Sequence, residues 1–286
     1  MGNILTLTAA DEAREFVYAL RRDGKTVGIV PTMGALHQGH LSLARASTER
    51  CDATIATIFV NPTQFAPDED LDKYPRTLDA DRKLLQSAGV DAVFVPDVQT
   101  IYPPGFSTFV QPPDVAKPLE GTFRPDHFRG VTTIVMKLFQ LLPATHAFFG
   151  QKDYQQLQVI QAMVRDLNVG VEIVSCPIVR EADGLALSSR NRYLNDQQRQ
   201  RALLLSESLA IVDKLVVNGE RNVKTLESAM HDCLSASEMS VDKIDYAVVV
   251  QPETLRPLDQ LDSSAIALIA AYVGQTRLID NAFVQP

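Results

Sequence analysis

The run Val27 to Leu43, VGIVPTMGALHQGHLSL, constrains this chain more than any other stretch. Val27-Gly28-Ile29-Val30 is a short apolar, β-rich segment that Pro31, Thr32 and Gly34 break, and from Leu41 the apolar residues Leu41, Leu43 and Ala44 recur at helical spacing. Strand, tight loop and helix form the unit that binds nucleotides at the carboxyl edge of a parallel sheet. In the joint sit His37 and His40 with Gly39 between them, spaced HxGH. Residues three apart in the first turn of a helix point to one side, where unpaired backbone N–H groups and the positive end of the helix dipole also lie. A phosphate docked there gains backbone hydrogen bonds and two imidazole donors. Gly39, without a side chain, lets a flat ring such as adenine approach the backbone. The plain alternative is that His37 caps the loop and His40 is a satisfied, partly buried histidine.

The rest of the chain decides which contexts suit that unit. With 286 residues, 45% of them hydrophobic, the chain can bury two cores. A net charge of −8 argues against holding nucleic acid on a general basic surface. Three scattered cysteines, Cys51, Cys176 and Cys233, make no CxxC pair and fit a reducing cytoplasm. The start MGNILTLTAADEAREF lacks the basic-then-apolar order of a signal peptide, and no apolar run is long enough for a membrane span.

In chain order, Ala10 to Arg22 reads as an amphipathic helix and Ala53 to Val60 as a buried strand. Asn61-Pro62-Thr63-Gln64-Phe65 follows at the strand's carboxyl end, a turn whose amides could also meet a small polar substrate. Asp79 to Ala88 is helical and Asp91 to Pro96 a third parallel strand. The proline-rich stretch 103–118 is an irregular excursion that allows a short strand at Ser107–Val110. Arg124, His127 and Arg129 precede a helix over Val131 to Leu142, as an anion site or a solvated loop would. Ala147-Phe148-Phe149 ends another strand, and Lys152 lies at the strand-to-helix junction after it. A lysine there suits phosphate oxygens, and serves equally as a surface lysine. Gln156, four residues on, would face the same crevice. Val171 to Cys176 is a further strand. Glu181-Ala182-Asp183-Gly184 reads as a hinge turn before Ser188-Ser189-Arg190, a phosphate loop or a helix cap. Helices from Asn195 through Val217 and from Asn222 to Ser237 come next. Strands at Ile244–Val250, Ile266–Tyr272 and from Thr276 to Ile279 or beyond follow, with Gly274-Gln275 as a hairpin turn. The expected fold is α/β: a Rossmann-like parallel-sheet domain over residues 1–183, then a small α+β domain over 184–286 acting as a lid.

PTMGALHQGH resembles the signature of the HIGH-type nucleotidyltransferase superfamily, and specifically of the pantoate–β-alanine ligase (pantothenate synthetase) family. Five more blocks in the same order carry the resemblance over essentially the whole chain: FVNPTQF (59–65), KYPRT (73–77), RPDHFRGV (124–131), GQKDYQQL (150–157) and GLALSSRN (184–191). Gln151 stands where many members carry glutamate and Leu187 where many carry methionine, and both keep the local shape. Where the superfamily often places lysines, the positive group here is Arg190.

The resemblance implies an ATP-dependent, amide-forming ligase that joins (R)-pantoate and β-alanine through a pantoyl-adenylate. His37, His40, Lys152 and Arg190 would be catalytic, with His40 at the family's proton-donor position. ATP would be held by Met33, Gly34, His37, Gly39, His40, Gly150, Lys152, Asp153, Val179, Leu187, Ser188, Ser189 and Arg190. Gln64, Gln156, Asn61, Arg124 and His127 would serve the substrate. Mg²⁺ is expected beside ATP, with Asp81 as a candidate ligand, and a homodimer is the family expectation. Two alternatives stand beside this reading: a nucleotidyltransferase that leaves the nucleotide on its product, against which FVNPTQF and GQKDYQQL speak, and a non-catalytic nucleotide sensor. The last domain is too small and too short of basic residues for a tRNA-anticodon module.

Overall fold

Two apolar runs, β2 (Val27–Thr32) and β3 (Ala53–Ile58), lie side by side at the centre of a sheet, buried along almost their whole length. Such runs read as continuous rather than alternating hydrophobicity because helices cover both faces. The computed structural model describes residues 4–65, 71, 74–235 and 239–286. Lys73 of the KYPRT block, and residues 236–237 expected at a helix end, lie outside the described residues. The chain divides into two compact units, Met1–Gln151 with Gln156–Pro177, and Lys152–Gln155 with Ile178–Pro286.

Among the described residues the first unit holds a six-stranded sheet that adds β1 (Leu5–Leu7), β4 (Ala92–Phe94), β5 (His146–Gly150) and β6 (Glu172–Cys176). All pairs are parallel, in the order β1-β4-β3-β2-β5-β6. From β2 the chain moves to β3 on one side and later to β5 on the other. The topological switch point, where open α/β sheets bind ligands, therefore lies between β2 and β5. Helices α1 (Ala10–Arg22), α6 (His127–Leu141) and α7 (Tyr154–Asp166) supply Val17, Val131, Leu138 and Ile160 to a core with Ile29, Ile55 and Phe94. Helices α2 (Gln38–Arg50) and α3 (Leu78–Ser87) pack Leu41, Ala44 and Leu85 against Val30, Ala56, Val93 and Phe148. Short helices α4 (Val98–Ile101) and α5 (Glu120–Phe123) flank the proline-rich excursion.

Three details differ from the sequence expectation. Helix α6 starts at His127 rather than Val131, so His127 and Arg129 lie within it instead of before it. Ser107–Val110 forms no strand; at Val110 side chains of α6 satisfy the backbone instead. Thr133 Oγ1 accepts from Val110 N at 3.0 Å, and Thr132 Oγ1 donates to Val110 O at 2.8 Å. The edge strand β1 was not expected; at three residues it is too short to show periodicity.

In the second unit β7 (Lys243–Val250), β8 (Ala265–Val273) and β9 (Thr276–Val284) form an antiparallel sheet in that order. Helices α8 (Asp196–Val217) and α9 (Val223–Ser235) cover one face through Leu205, Leu209, Leu226 and Met230. A capping box starts α8: Asn195 Oδ1 accepts from Gln198 N at 2.8 Å, and Gln198 Oε1 accepts from Asn195 N at 3.0 Å. The segment after Pro177 is fastened within this unit. Arg180 grips Asp280 with two bonds of 2.7 and 2.9 Å, and Arg199 reaches Glu181 at 2.7 Å and Asp183 at 2.6 Å.

Gly28 in β2 lets α2 lie close to the sheet, since a Cβ there would collide with Ser47 Oγ, itself bonded to Thr54 Oγ1 at 2.7 Å. Gly28→Ala should lower stability in chemical denaturation by roughly 1–3 kcal/mol through overpacking.

Candidate active site

The loop after β2 owes its shape to one buried carboxylate. Gly34 and Ala35 both have positive φ, +83° and +52°. Glycine adopts this region freely, whereas alanine is strained there. Asp81, 1% exposed on α3, accepts from Ala35 N at 3.0 Å with one oxygen and from Leu36 N at 2.8 Å with the other. Thr77 Oγ1 adds a third bond at 3.1 Å. Asp81, the candidate metal ligand, is here a buried brace whose two oxygens each accept from a backbone N–H.

The brace delivers the chain to α2, where two histidines close a capping box. His37 Nδ1 accepts from Gly39 N at 3.1 Å, and His40 Nδ1 accepts from His37 N at 3.3 Å. The ring centroids lie 4.1 Å apart. A backbone N–H can only donate, so both Nδ1 atoms are acceptors and each neutral ring carries its proton on Nε2. The capping reading of the pair is realised, on the Nδ1 atoms.

The turn Pro62–Gln64 after β3 forms the second wall of groups in this unit. Asn61, 1% exposed, is occupied on every side. Its Oδ1 accepts from Thr63 N, Thr63 Oγ1 and the Tyr102 hydroxyl, and its Nδ2 donates to Gly130 O at 3.2 Å and Gln64 Oε1 at 3.1 Å. The Gln64 carbonyl accepts from His127 Nδ1 at 3.0 Å and Arg124 Nη2 at 3.4 Å, while Gln64 Nε2 lies 3.2 Å from Met33 Sδ. Gly130 admits this packing: a Cβ there would overlap the Thr63 carbonyl and come within 2.7 Å of Gln64 Cα. Burial pushes the Tyr102 phenol above its usual pKa, so it stays a protonated donor.

The structure therefore brings together Met33, Gly34, His37, Gly39 and His40 in one loop, and Asn61, Gln64, Arg124 and His127 around one turn. Gly150 ends β5, where a Cβ would meet Leu43 Cδ2 at 4.0 Å, and half-buried Gln156 lies on α7. Within the second unit, Leu187 N donates to Val179 O at 3.0 Å, pairing two expected adenosine contacts. Ser188 Oγ accepts from Arg190 N at 3.3 Å and caps a 3₁₀ turn over Ser189–Tyr193. Lys152, its side chain one-fifth exposed, lies 3.9 Å from the Asp153 carboxylate, and its carbonyl accepts from Asn281 Nδ2 at 2.9 Å. Tyr102, Thr63 and Gly130 were not foreseen. Thr63 and Gly130 had a signal, their places in FVNPTQF and RPDHFRGV.

A parallel α/β sheet with a histidine pair at its switch point defines a protein of the doubly wound class, which binds ligands at that edge. A family profile for pantoate-beta-alanine ligase matches residues 5–283. Pantothenate synthetase from Rhodopirellula baltica is 55% identical over 279 residues, covering 96% of this chain and 97% of that protein. The Thermotoga neapolitana protein of the same name is 50% identical, with 96% and 97% covered. The solved pantothenate synthetase of Thermus thermophilus superposes with a TM-score of 0.93 at 44% identity, over 99% of this chain and 100% of that one. The pantoate-beta-alanine ligase of Francisella tularensis, solved in complex with beta-gamma ATP and beta-alanine, gives 0.77 at 32% identity, over 98% and 97%. The chain belongs to the pantoate–β-alanine ligase family. No helix among the described residues is long and apolar enough to cross a membrane.

Two outcomes are expected. Long-range ¹⁵N correlation spectra at neutral pH should show His37 and His40 both in the Nε2–H form. Asp81→Asn, which leaves one buried N–H without its acceptor, should lower stability by about 1–3 kcal/mol and speed amide exchange at residues 35–36.

Proposed function

We propose that this chain is an ATP-dependent ligase that condenses (R)-pantoate with β-alanine to give pantothenate, AMP and diphosphate. The chemistry requires two steps. A carboxylate cannot be attacked by an amine at neutral pH, because oxide would have to leave. A pantoate carboxylate oxygen therefore attacks the α-phosphorus of ATP, and the bond to the diphosphate oxygen breaks. The β-alanine nitrogen then attacks the acyl carbon of the adenylate, the carbon–oxygen bond to AMP breaks, and the ammonium proton is lost.

The observation that carries the reading is the capped histidine pair after β2, in a chain of this family. His37 and His40 spend Nδ1 on the helix start and offer Nε2–H donors for oxygens on which charge develops. No protein nucleophile is needed, so positioning and charge stabilisation account for catalysis. Gln64, with its backbone pinned by His127 and Arg124, and Gln156 are assigned to pantoate. Neutral amides suit it because its carboxylate must stay reactive. Asn61 serves indirectly, by holding Gln64. Lys152, Ser188, Ser189 and Arg190 are assigned to the phosphates, and Met33, Gly34, Gly39, Gly150, Asp153, Val179 and Leu187 to the rest of ATP.

Asp81 does not fit a metal ion, since its oxygens hold backbone, and no group of three His, Cys, Asp or Glu suited to a metal occurs among the described residues. Magnesium enters the proposal as the counter-ion that arrives with the phosphates of ATP, keeping its waters. A cytoplasmic homodimer completes the reading; its three cysteines are all free thiols, which suits a reducing compartment.

The test is diphosphate release from ATP and Mg²⁺. Pantoate alone should give one stoichiometric burst, and β-alanine should convert it to multiple turnovers. Lys152→Ala should suppress the burst by about 10²-fold or more. Absence of pantoate-dependent release in wild type would sink the substrate assignment.

A further inference from the structure

Gln64 can face a ligand with either end of its amide, and the two ends have opposite chemistry: Oε1 only accepts, Nε2 only donates. The surrounding network removes the choice. Asn61 is oriented by two backbone groups that cannot exchange roles. Thr63 N must donate to its Oδ1, at 3.4 Å, and Gly130 O must accept from its Nδ2, at 3.2 Å. The second Nδ2 hydrogen then goes to Gln64, which must present Oε1 at 3.1 Å. Nε2 is left as the other end; one of its hydrogens goes to Met33 Sδ at 3.2 Å, and the second is the one a ligand would meet.

The shortest bond in this chain of contacts starts at Tyr102, whose hydroxyl donates to Asn61 Oδ1 at 2.7 Å. The same hydroxyl lies 3.2 Å from Thr63 Oγ1, which itself reaches Asn61 Oδ1 at 3.0 Å. The Tyr102 ring is fixed independently of its hydroxyl, edge-on to Phe106 at 4.9 Å and tilted against Phe59 at 6.3 Å. A rigid ring thus aims one proton at the amide that orients the next amide.

We infer that Tyr102 is a positioning residue. Acting through Asn61, it fixes Gln64 so that Nε2–H faces an acceptor oxygen of the hydroxy-acid substrate. The inference rests on the ligase reading for the identity of that acid. Tyr102 itself touches no substrate in this assignment.

Tyr102→Phe keeps the ring and deletes the proton. It should raise KM for pantoate roughly three- to tenfold, the worth of one hydrogen bond, while KM for ATP and the melting temperature stay at wild-type values. In a Gln64→Ala background the same substitution should add nothing, because the amide it orients is gone. The Gln64 side-chain amide resonances, recorded without substrate, should shift in Tyr102→Phe. That spectrum tests the orientation even if the acid has been assigned wrongly, and wild-type turnover with pantoate tests the acid separately. The inference is overturned if pantoate KM is unchanged, if both KM values rise together, if the effect persists undiminished in Gln64→Ala, or if the Gln64 resonances stay put. Loss of cooperative folding in Tyr102→Phe would assign the hydroxyl to stability and overturn it too.

Discussion

A carboxylate with no route to water sets the geometry of the candidate site. Asp81 lies buried on α3 and spends both oxygens on consecutive N–H groups of the loop after β2. Its two bonds hold Ala35 in a left-handed conformation that alanine would not adopt alone. Only with that bend can the chain leave β2 and start α2 four residues after Gly34, with His37 as the cap. The position of the histidines is therefore inherited from a residue more than forty positions away in sequence.

The other wall of the site works by the same economy of roles. Groups expected to meet the substrate turn out to hold one another. Arg124 and His127 converge on the carbonyl of Gln64, and Asn61 is enclosed by five polar contacts. Such a network fixes geometry because each member is satisfied only in one orientation. It also explains why Gly130 lacks a side chain: the turn that bears Gln64 rests directly on α6.

The central strands and the histidine loop were legible because their signals are local. VGIV, ATIATI and the HxGH spacing need no distant partner to be read. The C-terminal hairpin at Gly274-Gln275 was plain for the same reason. What escaped depends on the tertiary structure. β1 exists because β4 pairs with it, Val110 finds threonines instead of a strand, and Tyr102 stands forty-one residues from the asparagine it orients. Asp81 shows the limit best. A carboxylate at the start of a helix suits a metal ligand and a loop brace equally well, and only burial separates the two.

The chain starts two of its helices in chemically different ways. At α8 an asparagine and a glutamine cap each other's backbone; at α2 two histidines do the same task. Amides would close the helix start at residue 37 as well as imidazoles do, so folding stability gives selection no reason to prefer histidine there. What imidazole adds is a second nitrogen on the far side of the ring, which the capping does not consume. The two starts thus separate two tasks: at this one the capping takes one nitrogen of each ring, and the other is the one on which the proposed chemistry would call.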